Sequence, residues 1–419
     1  MNEWNHKVLV VGGGAAGMMA AGMAAEAGAK VILFEKNDRL GKKLAITGKG
    51  RCNVTNACTS DEVMKNVPRN GRFLYSALSS FSPSEAMAFF EENGCPLKVE
   101  RGNRVFPVSD RSASVIDALR SFLRKGNVEI RTERVEELLT RDGQIAGVRT
   151  QKGNCFGRCV ILCTGGCSYP LTGSTGDGYL LAQALGHSVQ PPRGSLVPME
   201  ESGSWCASMQ GLSLRNVAVR LVDQKGKNVY EDFGELLFTH FGLSGPTILS
   251  ASAHMKPEGN YRIVIDLKPA LDDQKLDQRM LRDFETYKNR TMEHALQDLY
   301  PKSLIPVMLQ RTGISPQMKA NSLTKQQRRA LVELTKAFSV EIAGLRPVEE
   351  AIITAGGIKV KEVDPKTMES KLVPGLYFAG EILDVDAYTG GFNLQIAWST
   401  AAAAGKAAGT RKFDIQENE

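Results

Sequence analysis

The first 35 residues follow an order of apolar and glycine-rich stretches that predicts a βαβ unit. Residues 7–11 are a continuous apolar run and predict a strand, and residues 15–27 are rich in alanine and predict a helix. Gly28 marks the end of that helix, and residues 30–35 predict a second apolar strand. The glycines between the first strand and the helix indicate a tight turn at their junction.

A similar pattern returns at the other end of the chain. Residues 376–379 predict a short apolar strand, and a helix of small residues is expected over 395–408. The turn between them, residues 388–393, is rich in glycine. Because a fold that begins near the start of the chain is completed only here, the intervening residues must include insertions into it.

The segment between residues 36 and 190 contains both element types. Residues 41–56 are glycine-rich and polar and predict a long binding loop, whereas 84–93 and 112–124 have helical periodicity, the second after a Ser109-Asp110 cap signal. Alternation and turn residues such as Asp142-Gly143 then predict a small antiparallel meander that returns to the main sheet. Its expected strands are Val128–Arg131, Val135–Leu139, Ile145–Thr150 and Cys155–Cys163.

A change of composition after residue 190 predicts insertions. Short alternating strands are expected within 195–267, and helical periodicity is expected over 271–339, where Thr324 and Gln327 form a capping box before Leu331, Leu334 and Phe338. The chain is expected to rejoin the first domain near 349–357. The expected division is a first domain of residues 1–190 plus 350–419, a β-rich module of 191–269 plus 338–349, and a helical module of 270–337.

Composition is that of an ordinary globular protein, with 42% hydrophobic and 23% charged residues in 419. No apolar run approaches the roughly 18 residues of a membrane span, and residues 1–6 show no leader-like apolar core, so we expect a cytoplasmic protein with no membrane partner. The net charge is +6, and Lys268–Lys336 carries 13 basic and 8 acidic residues. That segment predicts either a solvated helical surface or a surface for an anionic partner such as RNA.

Four of the eight cysteines, Cys155, Cys159, Cys163 and Cys167, recur at a spacing of four. An iron–sulfur or zinc site is one interpretation of this spacing. Because Arg158–Cys163 predicts a buried strand and metal clusters use tighter Cys-x-x-Cys turns, we favour reduced core thiols. We therefore expect no metal site.

The glycine turn predicts the chemistry of the first domain. In Gly12-x-Gly14-x-x-Gly17, the first glycine permits the turn, the second lets the backbone approach a pyrophosphate, and the third allows close packing of helix and strand. Phosphates then lie at a helix N-terminus, where N–H groups and the helix dipole favour negative charge. Glu35 ends the second strand, where an acidic side chain accepts hydrogen bonds from a ribose.

The C-terminal turn favours FAD over NAD, because a second helix N-terminus would meet the same crevice and bind the pyrimidine edge of a flavin. With these motifs the chain resembles the glutathione-reductase-type FAD flavoproteins, and within them the YhiN-type, BaiN-like family of NAD(P)/FAD-dependent oxidoreductases. The resemblance implies an α/β Rossmann-like FAD-binding domain with an inserted β-barrel-like module and a small helical module. The matching segments are Val8–Gly17, Glu35, Gly41–Asn56, Leu162–Gly166, Phe238–Pro246, Thr354–Gly357 and Gly375–Gln395.

A further segment, Thr164–Gly166 with Thr172–Gly178, resembles fumarate-reductase-like flavoproteins. No second strand–glycine–helix unit is found, so NADH or NADPH is expected as a transient electron donor without a domain of its own. The residues expected to hold FAD are Gly12, Gly14, Ala15, Ala16, Gly17, Glu35, Lys36, Lys42, Lys43, Gly48, Arg51, Cys52, Asn53, Val135, Thr164, Gly165, Gly166, Gly380, Glu381, Asp384, Gly391, Phe392, Asn393 and Leu394.

Relatives of this family are linked to the reduction of steroid-like enones and of a uracil in ribosomal RNA, which are both conjugated carbonyls. The resemblance therefore implies hydride transfer from the nicotinamide to the flavin and then to an electron-poor C=C bond, with an acid that supplies a proton. His240 is the candidate acid, and Tyr388 is a candidate donor to the carbonyl or an aromatic lid over the flavin ring. Arg51 is a candidate for binding an anionic substrate or the flavin phosphates. Cys52 beside Arg51 is an alternative redox thiol.

Three functions follow from these patterns. The first is a flavin-dependent reductase of a small enone, and the second is a flavin-dependent RNA-modifying enzyme that uses the basic segment. The third is a non-catalytic binding protein that FAD stabilises. The sequence favours an enzyme with a small-molecule substrate, and it indicates no oligomeric state.

Overall fold

The computed structural model describes residues 7–256 and 259–411, which divide into two compact units. The discontinuous unit comprises the described residues up to Ser195 and from Val348 onward, and the inserted unit is Leu196–Pro347. Residues 1–6, on which the expectation about a leader depends, lie outside the described residues.

The strands of the described chain are short, and most lie before residue 270. In chain order they are β1 (Lys7–Val11), β2 (Lys30–Glu35), β3 (Thr55–Asn56), β4 (Leu97–Glu100), β5 (Arg104–Pro107), β6 (Glu129–Thr132), β7 (Val135–Arg141), β8 (Gln144–Thr150), β9 (Gly153–Phe156), β10 (Cys159–Leu162), β11 (Val189–Ser195), β12 (Met199–Glu201), β13 (Ser213–Asp223), β14 (Asn228–Phe238), β15 (Gly242–Ser244), β16 (Tyr261–Asp266), β17 (Phe338–Leu345), β18 (Ile353–Ile358) and β19 (Leu376–Phe378).

The α-helices range from 4 to 19 residues. They are α1 (Ala15–Glu26), α2 (Lys42–Ile46), α3 (Ser60–Lys65), α4 (Tyr75–Ser80), α5 (Pro83–Glu92), α6 (Ser112–Lys125), α7 (Asp177–Gln183), α8 (Trp205–Ser208), α9 (Pro246–Ser252), α10 (Asp273–Thr286), α11 (Met292–Ala295), α12 (Ile305–Thr312), α13 (Lys325–Lys336) and α14 (Phe392–Thr410).

A five-stranded parallel sheet in the order β19-β10-β1-β2-β6 organises the discontinuous unit. All four residues of β10 and the last four residues of β1 are buried, and all of these residues are apolar, as expected for the central strands of a parallel sheet. Because the pairings are parallel, the carboxyl ends of β1, β2, β10 and β19 lie at one edge of the sheet.

Two helices of small residues pack closely in this unit. A Cβ atom at Gly405 of α14 would lie 2.5 Å from the backbone oxygen of Ala20 in α1. Alanine and glycine on both helices permit this approach, and Trp398 of α14 is fully buried, with its indole N–H donating to the Val54 carbonyl at 2.9 Å. The first and last helices of the chain thus share one core.

Smaller antiparallel sheets surround the parallel sheet in the discontinuous unit. Strands β7, β8 and β9 form the predicted meander, whose first turn has Asp142 at φ 52° and Gly143 at φ 75°. Strands β3, β5 and β4 form a second sheet, and β11 pairs with β18. Since β11 and β18 flank the insertion in sequence, their pairing closes the discontinuous unit around the point where the chain leaves and returns.

The inserted unit contains a closed six-stranded barrel in the order β12-β15-β14-β13-β16-β17. Its core includes Phe238 and Phe338, whose rings meet edge to face with centroids 6.3 Å apart. Helices α10, α12 and α13 contribute Leu276, Met308 and Leu331 to the same apolar cluster. The predicted α/β fold with an inserted barrel and a helical region is therefore confirmed.

The structure corrects several predicted elements. Residues 41–56 are not a loop throughout, because Gly41 at φ 71° precedes the short helix α2, whose Leu44 is buried. Phe338 does not continue the helical pattern, since Ala337 leaves the helical conformation and Phe338 begins β17. The capping box of Thr324 and Gln327 is confirmed.

Four further differences concern two predicted strands and the starts of two helices. The predicted strand 155–163 is two strands, because β9 pairs with β8 whereas β10 enters the parallel sheet beside β1. The strand predicted at 128–131 joins the parallel sheet as β6 and not the meander. Arg111 precedes α6, while Asp110 pairs with Lys98 and does not cap the helix, and α14 begins three residues earlier than predicted.

None of the helices among the described residues combines the length and the hydropathy that a membrane crossing requires. The described residues also contain no group of three or more histidine, cysteine or acidic side chains arranged to hold a metal ion. Cys159 and Cys163 are buried in the core, and Cys155 and Cys167 are partly buried.

A buried histidine ties two segments of the discontinuous unit together. The Ser370 hydroxyl accepts from the backbone N–H groups of Leu372 (3.0 Å) and Val373 (2.8 Å), so its proton is directed to His187 Nε2 at 2.9 Å. The other ring nitrogen lies 3.3 Å from a Glu362 carboxylate oxygen. Burial lowers the pKa of His187, which the Glu362 charge opposes, and the neutral ring suits these contacts.

We expect His187 to make the protein less stable at acidic pH. With a pKa of about 6.5, an unfolded histidine binds a proton more readily than His187 in the folded chain, so stability is lost as the pH falls below that value. The apparent Tm of the wild type should fall more steeply between pH 7.5 and 5.5 than that of H187Q. H294Q, which replaces an exposed histidine, should keep the wild-type slope. Equal slopes for wild type and H187Q would contradict this account.

Candidate functional site

The glycine turn after β1 is shaped by contacts that exclude side chains. Gly12 has φ 103° and a Cβ there would lie 2.5 Å from the Cys163 carbonyl oxygen, while a Cβ at Gly17 would lie 1.7 Å from the Gly12 oxygen. A Cβ at Gly14 would meet nothing within 4 Å. Gly14 directly precedes α1, so the open side of the turn is at the N-terminus of a 12-residue helix.

Glu35 at the end of β2 is buried and braces this turn. One carboxylate oxygen accepts from the Gly13 N–H at 2.7 Å, and the other accepts from the backbone N–H and the side-chain amide of Asn37, both at 2.7 Å. The predicted ribose-binding acid thus also holds the glycine turn and the segment after β2 in place. Each carboxylate oxygen has two lone pairs, so the oxygen that accepts from Gly13 alone retains capacity for a ligand hydroxyl, whereas the oxygen that accepts twice from Asn37 is filled.

A pocket of about 490 Å³ lies beside Asn37 in the discontinuous unit. Lys36 lines it and donates to Thr175 Oγ1 (2.7 Å) and Asp177 Oδ2 (2.8 Å). The other lining residues are Thr132, Glu133, Arg134, Gln151, Lys152, Pro170, Gly173 and Thr175. The pocket is polar, and it begins where the chain leaves the carboxyl end of β2.

The segment 52–56 is attached to the start of α14. Asn53, with its amide nitrogen directed to the carbonyls of Val105 and Thr55, accepts from the Gly391 N–H at 2.9 Å. Asn56 donates to the Gly390 carbonyl at 3.0 Å. Gly391 has φ 98°, and a Cβ there would lie 2.3 Å from the Thr55 carbonyl oxygen. The two glycine-rich regions that are far apart in sequence therefore meet in the fold.

A second group of contacts joins Lys43 to Glu381. The ammonium of Lys43 lies 2.7 Å and 3.0 Å from the two oxygens of Glu381 and 2.6 Å from the Ser168 hydroxyl. Glu381 also accepts from Ser168 Oγ at 3.1 Å and from the Thr354 N–H at 2.9 Å. These bonds hold together four segments of the discontinuous unit. Lys43 belongs to α2 and Thr354 to β18, while Ser168 follows β10 and Glu381 follows β19.

The loop between β19 and α14 carries two aspartates in different surroundings. Asp386 is buried and accepts from Arg69 at 2.8 Å and from the Ser195 hydroxyl at 2.7 Å. Asp384 accepts from the Asn70 amide at 3.2 Å, and burial raises the pKa of its carboxyl while the nearby Arg69 opposes that shift. These contacts fix the loop to the segment that precedes α4.

Tyr388 lies in the same loop, just before the glycines at the N-terminus of α14. Its backbone N–H donates to the Asn66 carbonyl at 3.0 Å, and the Asn393 side chain holds Ala387 through bonds of 2.7 Å and 2.8 Å. The side chain of Tyr388 is partly buried. The loop is thus fixed on both sides of this tyrosine.

The sequence model of the family described as "HI0933-like protein Rossmann domain" matches residues 6–407. The chain belongs to this family. It is 32% identical to the 3-dehydro-bile acid delta(4,6)-reductase of Clostridium scindens over 97% of this chain and 100% of that protein. It is 31% identical to the ribosomal RNA dihydrouridine synthase of Escherichia coli over 94% of this chain and 96% of that protein.

Among solved structures, a 3-ketosteroid delta1-dehydrogenase from Sterolibacterium denitrificans in complex with 1,4-androstadiene-3,17-dione is similar, with a TM-score of 0.50. The match covers 97% of this chain and 100% of that chain at 14% identity, so it supports the fold alone. The predicted family is confirmed, and this member of the HI0933-like family is an FAD-dependent oxidoreductase.

The residues of this HI0933-like chain fit FAD. The open side of Gly14 faces away from protein atoms at a helix N-terminus, as a pyrophosphate requires, and no acidic residue lies in the first turn of α1. Asn37 contacts the Glu35 carboxylate, and both Asn37 and Lys36 line the polar pocket of about 490 Å³ next to it. The 19-residue helix α14 presents a second N-terminus at Gly391.

The cofactor residues predicted from the sequence all fall in the discontinuous unit. They occupy the ends of β1 (Gly12, Gly14, Ala15, Ala16, Gly17), β2 (Glu35, Lys36), β10 (Thr164, Gly165, Gly166) and β19 (Gly380, Glu381, Asp384), the region of α2 (Lys42, Lys43, Gly48, Arg51, Cys52, Asn53), the start of β7 (Val135) and the start of α14 (Gly391, Phe392, Asn393, Leu394).

Three candidates have surroundings that the sequence did not indicate. Arg51 pairs with Glu100 and Asp110, and its guanidinium lies 4.1 Å from the centre of the Phe106 ring. Cys52 is fully buried, which raises the pKa of its thiol to about 12 and disfavours the thiolate that a redox thiol requires. His240 lies in the inserted unit, exposed in the turn between β14 and β15 with its ring against Phe241.

Sequence reasoning missed the side chains that brace the predicted ligands. Asn37 follows Glu35 by two residues, so its bonds to the Glu35 carboxylate are local in sequence. Ser168, Thr354 and Asn70 contact their partners only through the tertiary fold. Thr354 is 27 residues from Glu381 in sequence, and Asn70 is 314 residues from Asp384. No local pattern marks those three.

We expect Gly14→Ala to weaken FAD binding while it preserves the fold. The new methyl group meets no protein atom and φ is −80°, which alanine adopts without strain, but it enters the space next to the helix N-terminus. The FAD dissociation constant should rise at least about tenfold, equivalent to about 1.4 kcal/mol. Titration of the FAD-free protein, followed by flavin fluorescence, measures this change.

Gly17→Ala and Gly344→Ala are the matched controls. Gly17→Ala should also lower the apparent Tm of the FAD-free protein, because its Cβ would collide with the Gly12 oxygen. Gly344→Ala, with open space in the inserted unit, should change neither quantity. Wild-type FAD affinity in Gly14→Ala would show that the pyrophosphate is not bound at this turn.

Proposed function

We propose that this protein uses NADH or NADPH to reduce an electron-poor C=C bond of a conjugated carbonyl in an enone-like small molecule. The observation that carries this proposal is the end-to-end similarity to a protein named as a 3-dehydro-bile acid delta(4,6)-reductase. Bound FAD supplies the hydride-transfer chemistry. The protein's own residues then have to bind the cofactor, orient the carbonyl and supply a proton.

The discontinuous unit is the proposed FAD-binding domain. The turn Gly12–Gly17 and the N-terminus of α1 would hold the pyrophosphate, and Glu35 would accept from the adenosine ribose. Glu381 and Asp384 follow the carboxyl end of β19, where they would meet the ribityl hydroxyls. The N-terminus of α14 at Gly391 would donate to the pyrimidine edge and stabilise negative charge there.

Tyr388 is the proposed hydrogen-bond donor to the substrate carbonyl. It lies in a loop that Asn66 and Asn393 hold immediately before α14, whereas the charge of Arg51 is balanced by two carboxylates. A phenol has a pKa of about 10 and so keeps its proton at neutral pH. His240 stays a second candidate for the acid, from the exposed turn of the inserted unit.

The alternative is an RNA-modifying reductase, and one specific observation favours it. The similarity to a protein named as a ribosomal RNA dihydrouridine synthase also spans nearly the whole chain. In the basic segment 268–336, some charges are paired, such as Arg328 with Asp277 and Arg279 with Asp283. Others are exposed on the inserted unit and would suit phosphates: Arg282, Arg290, Lys302, Lys319 and Lys325.

We expect NADH or NADPH to bleach the flavin absorbance of the purified holoenzyme under anaerobic stopped-flow mixing. Reoxidation by a 3-oxo-Δ4 steroid, faster than by oxygen, would support the enone reductase. Reoxidation by uracil-containing RNA and not by enones, with binding that weakens steeply as salt rises, would support the alternative. No bleaching with either nicotinamide would contradict the proposed electron donor.

We expect Tyr388→Phe to slow reoxidation by the enone about 100-fold and to leave the bleaching by nicotinamide unchanged, because loss of a positioned proton donor commonly costs about 10²–10⁴-fold. Separate measurement of the two half-reactions on the same holoenzyme distinguishes these effects. Tyr75→Phe, which changes an exposed tyrosine of the same unit, is the control. A wild-type rate in Tyr388→Phe together with a large loss in His240→Ala would move the role to His240.

A further inference from the structure

Lys43 and Glu381 form an ion pair at 2.7 Å within the discontinuous unit. We propose that Lys43 is a positioning residue that acts through Glu381 and does not itself bind the phosphates of FAD. The two residues are 338 positions apart in sequence, and their side chains are only 21% and 13% exposed. This inference rests on the proposed flavin-dependent function.

The hydrogen-bonding capacity of Lys43 supports the first part of the proposal. An ammonium group has three N–H donors. The structure places three acceptors around Lys43 Nζ, namely Ser168 Oγ at 2.6 Å and the two oxygens of Glu381 at 2.7 Å and 3.0 Å. All three donors are therefore used within the protein, and none is left for a phosphate oxygen.

The same inventory fixes the direction of the Ser168 hydroxyl. Because the ammonium can only donate, Ser168 Oγ accepts from Lys43 and gives its own proton to Glu381 Oε1 at 3.1 Å. The backbone N–H of Ser168 donates to Thr354 Oγ1 at 3.1 Å, and the Thr354 N–H donates to Glu381 Oε1 at 2.9 Å. Ser168 is completely buried, so this closed set of bonds has no competition from solvent at its centre.

The acceptors of Glu381 are used unevenly. Oxygen Oε1 accepts from Lys43, Ser168 and the Thr354 backbone, whereas Oε2 accepts from Lys43 alone. A carboxylate oxygen has two lone pairs, so Oε2 keeps one for a ligand hydroxyl. Lys43 thus has two consequences: it holds Glu381 in one orientation, and it supplies the positive charge that a partly buried carboxylate needs.

A charge beside a flavin also affects its reduction. Reduction adds negative charge to the flavin, and an uncompensated carboxylate nearby disfavours that change. Loss of the Lys43 charge should therefore lower the midpoint potential of bound FAD as well as its affinity. A purely structural contact would weaken affinity and leave the potential unchanged.

The test is a double-mutant cycle on Lys43→Met and Glu381→Gln, with the FAD dissociation constant and the midpoint potential as readouts. Lys43→Met alone should raise the dissociation constant at least about tenfold and lower the potential. In the Glu381→Gln background, Lys43→Met should change the dissociation constant less than about twofold, because the carboxylate that Lys43 positions is gone, whereas the potential should still fall because a positive charge is lost. Additive effects on the dissociation constant would mean that Lys43 binds the cofactor directly, and would overturn the inference.

Further variants guard against misfolding. Lys43→Arg keeps the charge and should recover most of the wild-type potential, and Ser168→Ala should produce a smaller change in the same direction as Lys43→Met. Lys406→Met, an exposed lysine of α14, should change neither quantity. If the effects on the dissociation constant are additive and nicotinamide still reduces the holoenzyme, only the inference is rejected. If the effects are non-additive but nicotinamide does not reduce the flavin, only the proposed electron donor is rejected. Absence of FAD from the wild type would overturn both.

Discussion

Parallel pairing of strands from distant parts of the chain is the constraint on which the site depends. β19 pairs with β10, β10 with β1 and β1 with β2, so the turns that follow these strands lie side by side at the carboxyl edge of one sheet. Ligands of open parallel sheets bind at this edge. Helix α14, which follows β19, can pack against α1 because both helices are built from residues small enough to bring their backbones into contact.

The carboxylates at this edge are each supplied with donors from the protein. Glu35 receives the N–H groups of the glycine turn and Asn37, Glu381 receives Lys43 and two further donors, and Asp386 receives Arg69 and Ser195. Partly buried charges without such partners are costly, so these bonds are needed before any cofactor arrives. A consequence is that the site is largely organised by the protein itself. In the proposed site, binding of an anionic dinucleotide would therefore depend on helix N-termini more than on free lysines.

The sequence predicted what local chemistry determines. The βαβ unit, the hairpin at Asp142-Gly143 and the capping box at Thr324 were all confirmed. Each of them depends on residues that are close together in sequence. The sequence also predicted the family, and with it an FAD-dependent oxidoreductase, through the resemblance. It could not show that Lys43 meets Glu381 or that Asn53 meets Gly391, since those contacts exist only once the two ends of the chain share a sheet.

Errors in the prediction have the same physical origin. Phe338 fitted a helical period after Leu331 and Leu334, yet the barrel needs a strand there to pair with β16, and that pairing overrides the local pattern. The sequence also could not show that Glu100 and Asp110 pair with Arg51, because they lie about 50 and 60 positions away from it.

Substrate choice in this family cannot depend on the cofactor site alone. Two relatives whose names describe a bile acid and a ribosomal RNA align with this chain over nearly its whole length at almost equal identity. The shared part is the chemistry of a conjugated carbonyl, which needs a flavin, a donor to oxygen and a proton. What differs is the charge that the substrate brings, because an RNA carries many phosphates and a small enone carries few or none. If the RNA-modifying alternative holds, the exposed basic residues of 268–336 would supply the long-range attraction to those phosphates.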